Sequence, residues 1–328
     1  MKAIVIEKSD AGGSLVYRDV PDPIVGPDDL LVAVRACALN RADVLQRMGG
    51  YPQPGPRPEF EIPGLEYAGE VVEAGSRVEG FAPGDRVMGL VPGGGYAELV
   101  SVPQRLALKV PDSLSWQEAG ATPEVYITAH DALLQCNLQA GERVLIHAVG
   151  SGVGVAGVQI AKAMGASQVI GTAGSAEKLA SAAELGLDVG VNYREQDFAE
   201  VVHGATGGAG VDVVLDVIGA DYWEQNLRAL ARQGRMVEVG LMSGADLENA
   251  SLGPLLMKRL QVRGTTLRAR PLEQKAAATR AFEKSVLPHI ASGRIKIVVD
   301  SVYPLSEAAA AQAYMEANAN FGKIVLEP

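Results

Sequence analysis

The sequence predicts an α/β fold in two parts: a doubly wound parallel sheet inserted in a mostly β domain. Three observations carry this. A glycine-rich turn at the centre of the chain separates a strand-like run from a helical one, alternating strand and helix patterns follow it, and residues 1–110 read instead as short apolar runs punctuated by Pro and Gly. At 328 residues the chain is long enough for two cores.

In the first part the strand-like runs are Ala3–Glu7, Leu30–Ala38, Gly69–Glu73, Arg86–Leu90 and Tyr96–Val102. Asn40–Met48 is the one early helix candidate, and Tyr51–Pro63 follows it with five prolines, too many for regular structure. Around Trp116–Gln135 the pattern becomes helical, with Pro111 and Pro123 marking turns or helix starts.

The centre is Val144–His147, a strand, then Gly150, Gly152, Gly154 and Gly157, then Val155–Met164 with helical periodicity. Gly152, Gly154 and Gly157 satisfy G-x-G-x-x-G in its proper context, after a strand and opening a helix. In such a turn the first glycine allows a tight bend, the second admits a pyrophosphate to the backbone, and the third lets helix pack on strand. The plainer alternative is any glycine-rich turn, in a chain with 38 glycines. The continuation favours the dinucleotide reading: Gln168–Thr172, Asp188–Asn192, Val211–Asp216, Arg235–Val239 and Leu260–Gly264 read as further strands, and Ser175–Leu185, Gln196–His203 and Tyr222–Ala231 as helices. Pro271–Ser292 (helix), Lys296–Tyr303 (strand), Leu305–Ala319 (helix) and Lys323–Leu326 (strand) then return to the first domain. The expected division is 1–121, 122–266 and 267–328.

The end of the second strand selects the dinucleotide. An NAD site usually carries Asp or Glu there, roughly 20 residues past the glycines, for the ribose 2′-hydroxyl. This chain has Thr172-Ala173-Gly174-Ser175, then Lys178, and Tyr193 after the third strand. The expected cofactor is therefore NADPH, with Gly174, Lys178 and Tyr193 around a 2′-phosphate. The alternative for Lys178, as for Glu177, is a solvated helix face.

A net charge of −10 argues against nucleic acid, which is bound by clustered cations. The chain opens on a strand without an apolar leader, and no uncharged run approaches the roughly 18 residues of a membrane span. Two cysteines, Cys37 and Cys136, make neither a disulfide framework nor a metal quartet, so a cytoplasmic setting is expected. The histidines, His130, His147, His203 and His289, are not spaced with other ligands and read as ordinary structural or surface residues.

Three stretches outside the glycine turn, LNRADVLQRMGGYPQPGP (Leu39–Pro56), IPGLEYAGEV (Ile62–Val71) and VPGGGYAELVSVP (Val91–Pro103), with HAVGSGVG, GTAGSAEK, NYREQDF and YMEANANFGKIVLE, extend along the whole chain. Through them the sequence resembles the medium-chain dehydrogenase/reductases, and within these the NADPH:quinone oxidoreductase branch. The resemblance implies a GroES-like catalytic domain interrupted by a Rossmann domain, and a homodimer paired through Rossmann sheet edges. It implies that Asn40 and Asp43 lie beside the cofactor, Thr128 near the nicotinamide amide, Ser151, Gly152 and Val153 on the pyrophosphate, and Ile218, Leu241 and Met242 along the ribose and nicotinamide. Asn320 and Lys323 would close the site from the C-terminal side. Where the zinc-dependent branch places catalytic metal ligands, this chain has Asn40 and Leu65, and the four-cysteine loop is replaced by Pro92-Gly93-Gly94-Gly95. Neither Asn40 nor Leu65 suits zinc, so no metal is expected.

The structural alternatives are a helix N-cap for Asn40, an early-helix acid for Asp43 and a buried hydroxyl for Thr128. Without a metal the chemistry is the nicotinamide's own. Tyr51, at the head of the proline-rich loop, is the first candidate to cover the acceptor and donate to its oxygen; Ser151 is the second, and a mere pinning role for Tyr51 is the competitor. The expected activity is metal-free reduction of a quinone by NADPH. The alternatives are reduction of another conjugated carbonyl, an enal or enone, and a non-catalytic NADPH-binding structural or RNA-binding role of the crystallin kind.

Overall fold

The computed structural model of the chain describes residues 1–9, 12–51, 53–56, 58–248 and 250–328. Of the predicted loop Tyr51–Pro63, Pro52 and Arg57 lie outside the described residues, and the rest has no helix or strand. The chain forms two compact units, one of Met1–Ile127 with Leu267–Pro328 and one of Thr128–Thr266.

In chain order, the strands β1 (Lys2–Ser9), β2 (Gly12–Asp19) and β3 (Asp29–Ala38) are followed by helix α1 (Arg41–Arg47). Next come β4 (Glu66–Ala74), β5 (Arg86–Leu90), β6 (Leu99–Pro103), β7 (Ala107–Lys109) and the short α2 (Trp116–Gly120). Helix α3 (Pro123–Gln135) leads to β8 (Arg143–Ile146), α4 (Gly152–Ala163), β9 (Gln168–Ala173), α5 (Ala176–Ala183) and β10 (Val189–Asn192). Then α6 (Phe198–Ala205), β11 (Val211–Asp216), α7 (Trp223–Ala229), β12 (Leu230–Glu238), α8 (Gly253–Lys258) and β13 (Gln261–Gly264) complete the second unit. The last leg holds α9 (Leu272–Ser285), α10 (Leu287–Ala291), β14 (Val299–Pro304), α11 (Ala308–Glu316) and β15 (Lys323–Glu327).

The second unit is a six-stranded parallel sheet in the order β10-β9-β8-β11-β12-β13, the doubly wound order of a dinucleotide fold. Val144, Leu145, Ile146, Val169, Ile170, Val213, Val214 and Leu215 are all buried, because a parallel sheet between helical layers hides both faces. The strand order turns back between β8 and β11, so the C-terminal ends of those strands flank the natural ligand crevice.

The first unit has a sheet ordered β14-β15-β3-β4-β5-β7, with β6 on β3 and a separate β1-β2 hairpin. Strand β3 is its spine: Leu30, Val32 and Val34 alternate inward and pack with Tyr67, Tyr96, Leu305, Ile324 and Leu326. The C-terminal leg thus returns to the first unit through β15 on β3.

Several local expectations change: β12 begins at Leu230, inside the helix expected over Tyr222–Ala231, and β7 and α8 were not anticipated. Strand β2 was not anticipated, because its Gly-Gly-Ser-Leu-Val-Tyr-Arg-Asp, with no residue fully buried, carries no clean apolar alternation. The single helix expected over Pro271–Ser292 divides at Val286, since Pro288 has no N–H to give and its ring crowds the carbonyl four residues back.

Candidate active site

In the second unit β8 ends at a tight turn. Ala148 is left-handed (φ +52°), its carbonyl accepts Ser151 N–H at 2.8 Å, and its own N–H reaches Thr172 Oγ1 at 3.3 Å. A Cβ on Gly154 would stand 2.2 Å from the Ala148 carbonyl oxygen, so glycine is required there for the helix to start so close to the strand. Ser151 is the N-cap of α4, its Oγ accepting Gly154 N–H at 3.1 Å, while Gly152 and Val153 form the first turn. Their half-buried backbone opens the helix at the position where a pyrophosphate is expected.

His147 beneath this turn is not an ordinary strand residue. Its Nε2–H donates to Asn226 Oδ1 (2.7 Å), Asn226 Nδ2 donates to Asp216 Oδ2 (2.7 Å), and Thr172 Oγ1 donates to His147 Nδ1 (3.0 Å). All four are buried, and burial pushes the imidazole pKa down, so His147 stays neutral. The chain ties the ends of β8, β9 and β11 to α7.

Around the end of β9 the predicted phosphate residues converge. A Cβ on Gly174 would lie 2.9 Å from the Tyr193 hydroxyl and 3.2 Å from Arg194 Nε, and one on Gly150 would lie 2.8 Å from Lys178 Cδ. The two glycines therefore let Lys178, Tyr193 and Arg194 pack closely over the backbone at the end of β9, with the helix α5 N-cap Ser175 beside them. Arg194 was missed; its signal was a second base next to Tyr193. Ile218, Leu241 and Met242 come together at the ends of β11 and β12: Ser243 N–H bonds the Ile218 carbonyl (2.7 Å), and a Cβ on Gly219 would stand 3.1 Å from Leu241 Cα. Leu241 and Met242 are half exposed, at 55% and 50%. Thr128, on α3, is half-buried.

Beside these ends, Asp216 and Glu238 are register partners on β11 and β12. Burial, and then Asp216, push the Glu238 carboxyl up to about 8, and Glu238 Oε1 is sealed from solvent without a hydrogen-bond partner.

In the first unit Asn40 and Asp43 stand together at the start of α1. Asp43 is fully buried; Oδ2 accepts Asn40 N–H (2.8 Å) and the Tyr96 hydroxyl (3.0 Å), and Oδ1 accepts Gly64 N–H (3.1 Å). Burial pushes its carboxyl up to about 6 against these donors, which still leaves it ionised at neutral pH. Asp43 is thereby turned inward as the anchor of two signature turns. Gly64 and Gly95 are packed where a Cβ would meet Tyr96 N at 2.7 Å and Glu66 O at 2.7 Å respectively. The Asn40 amide donates to Glu66 Oε1 (3.0 Å) and the Ala38 carbonyl (3.3 Å), and its Oδ1 accepts Lys323 Nζ (2.7 Å). Lys323 also binds the Leu39 carbonyl (2.6 Å) and pairs with Glu66 Oε1 (2.8 Å). Glu124, at the head of α3, donates its N–H to Glu66 Oε2 (2.8 Å); burial and then Glu66 push its carboxyl up to about 8.

Tyr51 is half-buried, and the buried Arg268 guanidinium lies over its ring. Gln53 of the same loop packs against Gly93, where a Cβ would come within 2.8 Å of its amide. Asn320 is in the loop before β15, its amide donating to the Gly322 carbonyl (2.8 Å).

Two family models match the chain, one described as an alcohol dehydrogenase GroES-like domain over residues 26–112 and one as a zinc-binding dehydrogenase over residues 152–284. A quinone oxidoreductase of Pseudomonas aeruginosa is 34% identical over 323 residues, 96% of this chain and 95% of that one. The solved Escherichia coli quinone oxidoreductase complexed with NADPH superposes with a TM-score of 0.90 at 32% identity over 100% of both chains. An NAD-dependent alcohol dehydrogenase structure gives 0.88 at 34% identity, again over 100% of both. The zinc in the second family description does not fit the residues present. The Asn40 amide is committed to Glu66 and Lys323, Leu65 is a buried hydrocarbon, and among the described residues no three His, Cys, Asp or Glu are grouped to hold a metal.

Proposed function

This chain is an oxidoreductase of the medium-chain dehydrogenase/reductase family, in its quinone oxidoreductase branch, and on that premise we propose that it reduces a quinone with NADPH and without a metal. Residues 122–266 take the nucleotide role in this reading, and 1–121 with 267–328 the catalytic one. The observation that carries it is the grouping of Lys178, Tyr193 and Arg194 over Gly150 and Gly174 at the end of β9, where an NAD site would offer a carboxylate. Two cations and a phenol favour the dianionic 2′-phosphate over a bare ribose hydroxyl.

NADPH supplies the hydride. The protein's part is to bind, orient and hold charge. The α4 N-terminus at Ser151, Gly152 and Val153 holds the pyrophosphate, and Ile218, Leu241 and Met242 offer an apolar bed for the ribose and nicotinamide. Asp43, Asn40, Glu66 and Lys323 brace the α1 region rather than transfer protons, because each is already hydrogen-bonded within the unit. Tyr51 covers the acceptor and donates to its developing oxyanion, with Ser151 second, since the Ser151 O–H remains a donor while its oxygen caps α4.

No helix among the described residues is long and apolar enough to cross a membrane. The two buried free thiols, Cys37 and Cys136, agree with a cytoplasmic enzyme. The homodimer forms in this reading through the β13 edge, where the neighbouring Leu252, Leu256 and Met257 are 73%, 78% and 72% exposed. The deciding experiment is steady-state turnover of an ortho-quinone, a para-quinone and an enone with NADPH and with NADH. Quinone turnover preferring NADPH is expected; turnover of the enone alone, a preference for NADH, or binding without turnover would each replace this reading.

A further inference from the structure

Arg268 is a buried cation that neither the glycine turn nor the α1 anchor uses. It is 5% exposed, at the start of the C-terminal leg. Nε donates to the Pro92 carbonyl (2.8 Å), one terminal nitrogen to the Tyr51 carbonyl (3.0 Å), and the other to Gln46 Oε1 (2.6 Å). Its Cζ sits 5.1 Å from the centroid of the Tyr51 ring. Gln46 is itself buried and donates to Glu61 (3.2 Å), so the third arm of the fork is fixed in turn. The single side chain therefore joins α1, the proline-rich loop and the Pro92–Gly95 turn. Asp43, Tyr51, Glu124 and Glu61 face it, and the like charge of Lys275 is also within its electrostatic reach.

A planar fork with three fixed acceptors has one orientation, whereas an ammonium would satisfy the same carbonyls in many. Its plane and the bond to the Tyr51 carbonyl together fix the backbone height and the ring of Tyr51. We propose that Arg268 is the positioning residue of the acceptor site, holding the Tyr51 ring where the hydroxyl can reach the acceptor oxygen. This rests on the acceptor role of Tyr51 proposed above. A permanent cation this close to the ring also suits the site to an acceptor that gains negative charge on reduction.

The test compares Arg268→Lys, which keeps the charge and loses the fork, in the wild-type and Tyr51→Ala backgrounds. In the first, kcat/KM for a para-quinone should fall tenfold or more with the NADPH Kd within twofold; in the second, the same substitution should change it less than twofold. An unchanged kcat/KM, or equal losses in both backgrounds, overturns the proposal. A readout independent of turnover uses Tyr51→Trp as a reporter: adding Arg268→Lys should make position 51 more open to acrylamide quenching, and unchanged quenching counts against the proposal. Should the wild type fail to reduce quinones at all, the functional reading falls while the quenching still decides the role of Arg268. If Arg268→Lys does not fold, Gln46→Met removes one arm of the clamp and leaves the guanidinium; it should lower quinone kcat/KM about threefold at unchanged NADPH affinity, and no loss overturns the proposal.

Discussion

Lys323 Nζ and Glu66 Oε1 form a 2.8 Å ion pair in which the side chains are 4% and 0% exposed. The lysine also binds Leu39 O and Asn40 Oδ1, so its three protons are all used. Removing one partner of such a pair leaves a buried charge uncompensated, at a cost of about 3–5 kcal/mol. Lys323→Met should destabilise by that amount in urea unfolding. A loss under about 1 kcal/mol, the range of an exposed pair, would show that water reaches the site.

How much of this was legible in sequence follows from chain distance. The order of β8 to β13 came from local periods and one glycine spacing, because a parallel βαβ unit repeats on a short stretch of chain. Lys178 and Tyr193 could be singled out as candidates because a strand end fixes where a ribose is expected to lie. Arg268 and Lys323 could not be placed in the same way: their partners Gln46 and Asn40 are 222 and 283 residues away, and nothing local marks a base as buried. The role of His147 was hidden for the same reason, since its partners come from β9 and α7.

The cofactor preference should reside in Lys178, Tyr193 and Arg194 at the end of β9. A charge-assisted contact to the 2′-phosphate contributes about 1.5–3 kcal/mol, so Lys178→Ala or Arg194→Ala should each weaken NADPH roughly tenfold or more and leave NADH nearly unchanged. Nucleotide titration by fluorescence measures both. Equal losses for the two cofactors would make these residues structural.

Activity should survive prolonged chelation, and elemental analysis should find no stoichiometric zinc. The reason is the donor set, an amide bonded to Lys323 at Asn40 and a hydrocarbon at Leu65. Stoichiometric zinc with chelator-sensitive turnover would refute this.

Glu238 gives the second unit a pH dependence with a defined sign. Its carboxyl titrates near 8 when folded, against an ordinary value of 4.5, so the folded state binds the proton more tightly. The stabilisation is therefore complete below about pH 4.5 and is lost as pH rises through about 8. Glu238→Gln keeps the neutral form at every pH. Its Tm advantage over wild type should be about 2–4 °C or more at pH 8.5 and smaller at pH 5.5. A gap that is equal at both pH values would show that Glu238 is already ionised in the fold.

The last prediction separates the two roles that Tyr51 can have. A quinone is already electrophilic, and its reduced form spreads charge over two ring oxygens, so orientation contributes more than proton donation. Deleting a single oxyanion donor costs about 2.7–4 kcal/mol in acyl transfer, and less is expected for an acceptor needing less help. Tyr51→Phe should therefore lower quinone kcat roughly three- to thirtyfold with NADPH affinity kept. This substitution isolates the hydroxyl, because Arg268 holds the Tyr51 carbonyl and lies over the ring, and phenylalanine keeps both. Tyr51→Ala removes the ring as well and leaves the guanidinium with nothing to stack on. If Tyr51→Phe turns over normally while Tyr51→Ala fails, the ring shapes the slot, the hydroxyl donates to nothing in the transition state, and Ser151 becomes the donor to test.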